Sequence, residues 1–169
     1  TRRSSDLVFQ CDVVVKVAPP TPTEIDMMSD GITLISPIHI PTLHREDLEM
    51  MIAKRITALA FDFIRDSSGR FPFVRAMSEI SGSSVILLAA EFLNNANKGP
   101  GILLGGVTGV PPAKVVVIGA GVVGTVATRA ALGLGAQVSV FDKDVYRLID
   151  LQDSIGQRIF TSIISPEIL

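Results

Sequence analysis

The stretch from Lys114 to Asp142, KVVVIGAGVVGTVATRAALGLGAQVSVFD, constrains the fold of this chain more than any other. Val115 to Ile118 are four β-branched apolar residues in a row, which predicts a strand buried on both faces. Gly119, Gly121 and Gly124 follow at G-x-G-x-x-G spacing, and the apolar period then becomes helical through Val126 and Ala130. Gly133 and Gly135 stop that helix, because glycine supplies a left-handed residue at little cost. A second strand, Gln137 to Phe141, ends at Asp142, 18 residues beyond Gly124. Each part has a physical task in dinucleotide binding. The first glycine permits a tight turn, the second lets the backbone approach a pyrophosphate, and the third lets helix and strand pack closely. The helix N-terminus offers free N–H groups and partial positive charge to the phosphates. Asp142 stands where an acid bonds the ribose hydroxyls and repels a 2′-phosphate. Strand, glycines, helix, strand and acid in this order point to an NAD site.

A length of 169 residues predicts one domain or slightly more. The chain is 47% hydrophobic and 19% charged with a net charge of −2, so it has ample core and no basic surplus for nucleic acid. Mean hydropathy is +0.46. No stretch reaches the roughly 18 uninterrupted apolar residues of a spanning helix. Gly101 to Val140, the richest region, is broken by Pro111, Pro112, Lys114, Arg129 and several glycines, which suits a buried sheet better than membrane insertion. Cys11 is the one cysteine, so neither a disulfide framework nor a metal site is expected. A cytoplasmic location is expected in the absence of a signal-like segment. The ends, TRRSSDLVFQ and SPEIL, are expected to be internal to a longer polypeptide, since a full doubly wound sheet has about six strands.

Upstream, Cys11 to Val17 reads as a strand stopped by Ala18-Pro19-Pro20. Thr23, with Glu24 and Asp26, opens a short helix that Gly31 ends; Ile32 to Ser36 is a second strand. Arg45 to Arg55 is helical, with acids early and bases late as the helix dipole favours. Ile56 to Phe61 is a third strand, which makes a parallel sheet separate from the one at Val115. Asp66 to Arg70 is a turn, and Phe71-Pro72-Phe73 an extended link. A buried, apolar helix from Ala76 to about Asn94 then connects two domains, 1–75 and 76–169. After Asp142 come a helix from Val145 to about Ser154 and a strand from Arg158 to Ser162. The expected fold is therefore α/β: the first half of a Rossmann-type doubly wound parallel sheet, joined by a long helix to part of a second α/β domain.

Several blocks together resemble the alanine dehydrogenase family, which shares ancestry with the NAD-binding subunit of proton-translocating transhydrogenases. They are VVVKVAPP at 13–20, LISPIHI at 34–40, ITALAFDFI at 56–64, AMSEISG at 76–82, GILLGGVTGVPPAKVVVIGAGVVG at 101–124 and LGAQVSVFD at 134–142. The G-x-L-L-G-G block is dehydrogenase-like, whereas V-P-P-A-K before the nucleotide strand is more like the transhydrogenases. The resemblance implies a catalytic domain and a Rossmann domain around a cleft, in a homo-oligomer, usually a hexamer. It implies NAD-dependent, reversible oxidative deamination of L-alanine to pyruvate and ammonia. It also places the family's catalytic aspartate after Leu169 and its substrate-binding arginine before Thr1.

Residue by residue, His39 in Ile38-His39-Ile40 matches the family's catalytic histidine. From the residues alone it is either a proton-transfer group or a strand-end histidine satisfied by backbone. The family motif K-V-K-E-P reads Lys16-Val17-Ala18-Pro19-Pro20 here, so Ala18 replaces the lysine that binds the substrate carboxylate. Lys16 lies one pleat away, about 6.6 Å along the same face. Either Lys16 takes the carboxylate or the pocket has changed; its alternative is a surface-reaching strand lysine. Met77 and Ser78 match positions lining the substrate pocket and touching the dinucleotide, although Ser78 also suits an N-cap of the connecting helix. Val122 matches a backbone contact to the cofactor at the helix start, beside Gly119, Gly121 and Gly124. Arg147 matches a basic residue that reaches the adenosine ribose beside Asp142; alone it reads as a solvated helix charge. Because an arginine also accepts a 2′-phosphate, NADP stays open beside NAD. Two other functions fit parts of the pattern: the NAD-binding subunit of a transhydrogenase, and a non-catalytic NAD-binding homologue.

Overall fold

The computed structural model describes residues 7–39 and 43–164. The chain divides into two compact units between Val74 and Arg75.

The first unit holds β1 (Val13–Val15), α1 (Pro22–Met27), β2 (Thr33–Ser36), α2 (Arg45–Ala53) and β3 (Thr57–Ala60), with a 3-10 turn at Phe61–Phe63. Its strands are parallel in the order β1-β2-β3. One face of the sheet is sealed by helices: Val14 and Leu34 pack with Ile25, Met28 and Met51. Alternate residues point away, and Val13, Val15 and Leu59 are exposed. The expected strands are each shortened, to the residues that pair in register: Val13–Val15 with Thr33–Ile35, and Thr33–Ser36 with Thr57–Ala60. The first helix starts one residue earlier than its Thr23 reading, at Pro22. Thr21 is the N-cap, Pro22 takes the first position that needs no N–H, and Thr21 and Glu24 form a reciprocal capping box. The helix ends at Met27, before Gly31, whose φ of 78° instead serves the turn into β2.

The second unit contains β4 (Lys114–Ile118), α4 (Val122–Gly133), β5 (Gln137–Asp142), α5 (Val145–Ile155) and β6 (Phe160–Ile163), after the long helix α3 (Pro72–Leu93). Its strands are again parallel, in the order β4-β5-β6, with a helix in each crossover. This is the Rossmann-like α/β arrangement expected. Val138 and Val140 lie at its centre, against Ala127 and Ala131 of α4 and Leu148 and Leu151 of α5.

Three local expectations fail. Pro72 begins α3, so Phe71-Pro72-Phe73 is not an extended link: proline's fixed φ suits a first helical turn. Nor is α3 buried, because among its described residues only Gly82 and Ile86 are; Ile80, Leu87, Leu88 and Phe92 are exposed. By length and composition alone α3 is also long and apolar enough to cross a membrane. Finally, β4 is not covered on both faces. Among the described residues it is the outer strand of its sheet, and Val116 and Ile118 are exposed while Val115 and Val117 pack toward the core.

Candidate functional site

The glycine turn between β4 and α4 carries three different constraints. Gly119 has φ of 105°, a region that L side chains rarely adopt. A Cβ on Gly124 would lie 1.8 Å from the Gly119 carbonyl oxygen, so the third glycine is what lets α4 fold back on its strand. Gly121, the N-cap of α4, has φ of −75° and nothing within 4 Å of a Cβ built there. Backbone conformation and local packing therefore do not demand glycine at 121. The open space beside the first N–H groups of α4, beginning at Val122, suits the oxygens of an anion approaching the main chain.

Asp142 terminates β5 beside this turn. Its Oδ2 accepts from the Ala120 N–H at 2.6 Å and its Oδ1 from the Asp144 N–H at 2.9 Å. The side chain is buried. The Ala120 N–H first, then that of Asp144, outweigh the burial and hold the carboxyl below the ordinary aspartate range, with help from the Arg147 charge. An ionised carboxylate offers about four lone-pair directions, and the N–H groups of Ala120, Asp144 and Lys143 take up part of them. The acid thus ties the glycine turn to the second strand and stays negative where a ribose is expected.

An open groove of about 1000 Å³ runs along this turn. It brings together Ser78 of α3, Gly119 to Gly124 and Arg147 of α5. Ser78 is not an N-cap, because α3 begins six residues earlier; its position is on the helix side that faces the turn. Met77, one residue away, is half-exposed and does not line the groove. Arg147 lies 3.8 Å from Asp144, the N-cap of α5. Gly82 escapes sequence reasoning although it matters here. A Cβ at 82 would sit 2.6 Å from the Val123 carbonyl oxygen, so α3 lies directly against the first turn of α4. A glycine inside an apolar helix is the signal that marks such an approach.

In the first unit, Lys16 is not an isolated cation. Its ammonium pairs with Glu24, and both side chains are largely covered. Burial acts to raise the Glu24 carboxyl, but Lys16 and the N–H and hydroxyl of Thr21 outweigh it and leave it lowered. Ala18 follows β1 and brings no charge to that end of the strand. His39 follows β2 with φ of 44°, in the left-handed region. Its Nδ1 lies 3.8 Å from Oδ2 of Asp62 in the turn after β3. His44 is exposed at the N-cap of α2 and makes no side-chain cap. Glu24 and Asp62 both escape the sequence reading as site residues. Thr21 and Glu24 carry the T-x-x-E capping-box spacing, whereas nothing local marks Asp62.

Comparison with known proteins follows the same division. Residues 1–81 match the alanine dehydrogenase/PNT N-terminal domain and residues 85–168 the alanine dehydrogenase/PNT C-terminal domain. Alanine dehydrogenase 2 of Staphylococcus aureus (strain USA300) is 37% identical over 160 residues, covering 94% of this chain and 42% of that protein. Alanine dehydrogenase of Bilophila wadsworthia (strain 3_1_6) is 35% identical over 156 residues, covering 90% and 40%. A solved L-alanine dehydrogenase superposes with a TM-score of 0.83 at 38% identity, over 96% of this chain and 45% of its own. The transhydrogenase of Sinorhizobium meliloti shares the fold, with a TM-score of 0.76 at 24% identity, over 98% and 48%. The chain therefore spans about two fifths of the length of the curated relatives it matches.

Proposed function

The chain belongs to the alanine dehydrogenase/PNT family, and on that premise we propose that the full-length protein is a cytoplasmic, homo-oligomeric NAD-dependent dehydrogenase that interconverts L-alanine with pyruvate and ammonia. The observation that carries this reading is the glycine turn: an open approach at Gly121, a tight one at Gly124, and Asp142 ionised beside them. Gly121 and Val122 present backbone N–H groups to the pyrophosphate, those of Gly119 and Ala120 being donated to Phe141 and Asp142. Asp142 accepts from the ribose hydroxyls, which favours NAD over its 2′-phosphorylated form, and Arg147 borders the same groove. NAD, when bound, supplies the hydride acceptor.

The remaining chemistry belongs to the first unit. Oxidising an α-amino acid to an oxo acid requires a proton to be taken from, and returned to, groups on the same carbon. His39 does this at a ring nitrogen, since imidazole exchanges protons near neutrality. Lys16 holds the substrate carboxylate and shares its charge with Glu24. The close approach of Gly82 to Val123 packs α3 against the first turn of α4.

Ala18 favours a second reading. Without the family's second lysine, the chain suits a protein that passes hydride to another nucleotide and holds no amino acid. Titrating the full-length protein with NAD and then with L-alanine separates the two. Binding followed by NADH formation supports the dehydrogenase. Binding followed by transfer only to a second nucleotide supports the transhydrogenase, and binding without any transfer fits a non-catalytic homologue.

A further inference from the structure

We propose that Asp62 is a positioning residue for His39, holding the imidazole with its Nδ1–H toward the carboxylate and its Nε2 toward substrate; the inference rests on the reading of His39 as the proton-transfer group. The pair is made by topology. In the β2–β3 register Ser36 lies opposite Ala60. Three residues past the one stands His39, and two past the other stands Asp62, so parallel pairing delivers both side chains to the same end of the sheet. The 3-10 turn at Phe61–Phe63, which packs against β2, bends the chain there instead of letting it run on.

Two costs converge at this place. Oδ1 of Asp62 is buried without a hydrogen-bond partner, and the side chain as a whole is only 13% exposed. Burying a carboxylate oxygen unsatisfied is unfavourable, and such groups in a folded protein mark a place where something other than stability is served. His39 adopts a positive φ, a conformation unfavourable for a non-glycine residue. The pair does not offset these costs as a salt bridge would. At 3.8 Å it lies beyond hydrogen-bond reach, and the ring is 56% exposed, where ion pairs contribute little.

Orientation is what the arrangement does supply. A negative oxygen beside Nδ1 favours the neutral tautomer that carries its proton on Nδ1. That leaves the Nε2 lone pair to accept a proton from substrate. Catalytic hydrogen bonds are often long before substrate binds.

The test uses the full-length protein with ¹⁵N-labelled histidine, the His39 signals being assigned by their loss in His39→Gln. Long-range ¹H–¹⁵N correlations report which ring nitrogen bears the proton. The expected result is Nδ1–H at His39 in the wild type and a shift toward Nε2–H in Asp62→Ala. Turnover should fall about ten- to a hundredfold, with the KM for NAD unchanged. Asp62→Glu should keep the Nδ1–H form and part of the turnover. Asp62→Asn keeps the volume without the charge and gives the same reading if the alanine variant fails to fold. An unchanged tautomer in the folded uncharged variants overturns the inference, whatever the protein turns over. A tautomer that shifts as expected in a protein inert toward alanine keeps the positioning role and overturns only the proposed reaction.

Discussion

Substituting alanine at two glycines three residues apart should separate folding from binding. At Gly124 the new Cβ would lie 1.8 Å from the Gly119 carbonyl oxygen, where ordinary contact begins at 3.4 Å. The obstructing atom is backbone, and the turn that holds it is pinned by Gly119 at φ 105° and by the Asp142–Ala120 hydrogen bond. Neither neighbour rotates away, so the overlap must be relieved by moving α4 off β4. Overpacking of this kind costs about 1–3 kcal/mol, and here the upper end applies. For a chain of this size that lowers Tm by roughly 6–12 °C. At Gly121 the added Cβ meets nothing and φ is unstrained, so Tm should move by no more than about 1–2 °C. That same methyl occupies the space reserved for the pyrophosphate. Gly121→Ala should therefore weaken NAD binding at least tenfold while folding normally. Thermal unfolding followed by circular dichroism, and calorimetric titration with NAD, give the two readings. Gly121→Ala with wild-type affinity, or Gly124→Ala with wild-type Tm, would refute the assignment of roles within the turn.

Other outcomes follow from the charged groups. Glu24→Ala removes both the capping box and the partner of Lys16, and should cost about 1–3 kcal/mol in urea unfolding. Glu24→Gln, which can still cap, should cost less; equal losses would show that the capping box contributes nothing, and no loss in Glu24→Gln that the Lys16 pair contributes nothing. Asp142 and Glu24 are both lowered in the folded state, so their stabilisation is complete above the unfolded carboxylate range, about pH 4, and is lost as pH falls through the folded values. Tm measured down to about pH 2 should drop less steeply in Asp142→Asn than in wild type; parallel profiles would contradict the linkage. Arg147→Ala should weaken NADP more than NAD, by only about fivefold because the side chain is largely exposed. Competitive titration of the two nucleotides checks this.

What the sequence disclosed depended on how local the cause was. The glycine turn was legible because its determinants lie within six residues and change period from strand to helix at a fixed spacing. The start of α1 was within reach too: of two threonines, only Thr21 is followed by a proline that suits the first helical position and by Glu24 at capping-box spacing. Asp62 was not legible, because it meets His39 through the register of two strands, and no spacing along the chain encodes it. The exposure of β4 and α3 was hidden for a related reason. Apolar composition tells that a surface prefers cover, and the strand order of the described residues determines which surfaces receive it. Ala18 is the opposite case, plain in the sequence and unexplained by the fold.

The central claim is that the full-length protein reduces NAD at the expense of L-alanine. The initial rate of NADH formation, measured against L-alanine concentration at saturating NAD, tests it most directly. A saturable rate that disappears in His39→Gln is the predicted result. A protein that binds NAD at its glycine turn yet forms no NADH at any alanine concentration would contradict it.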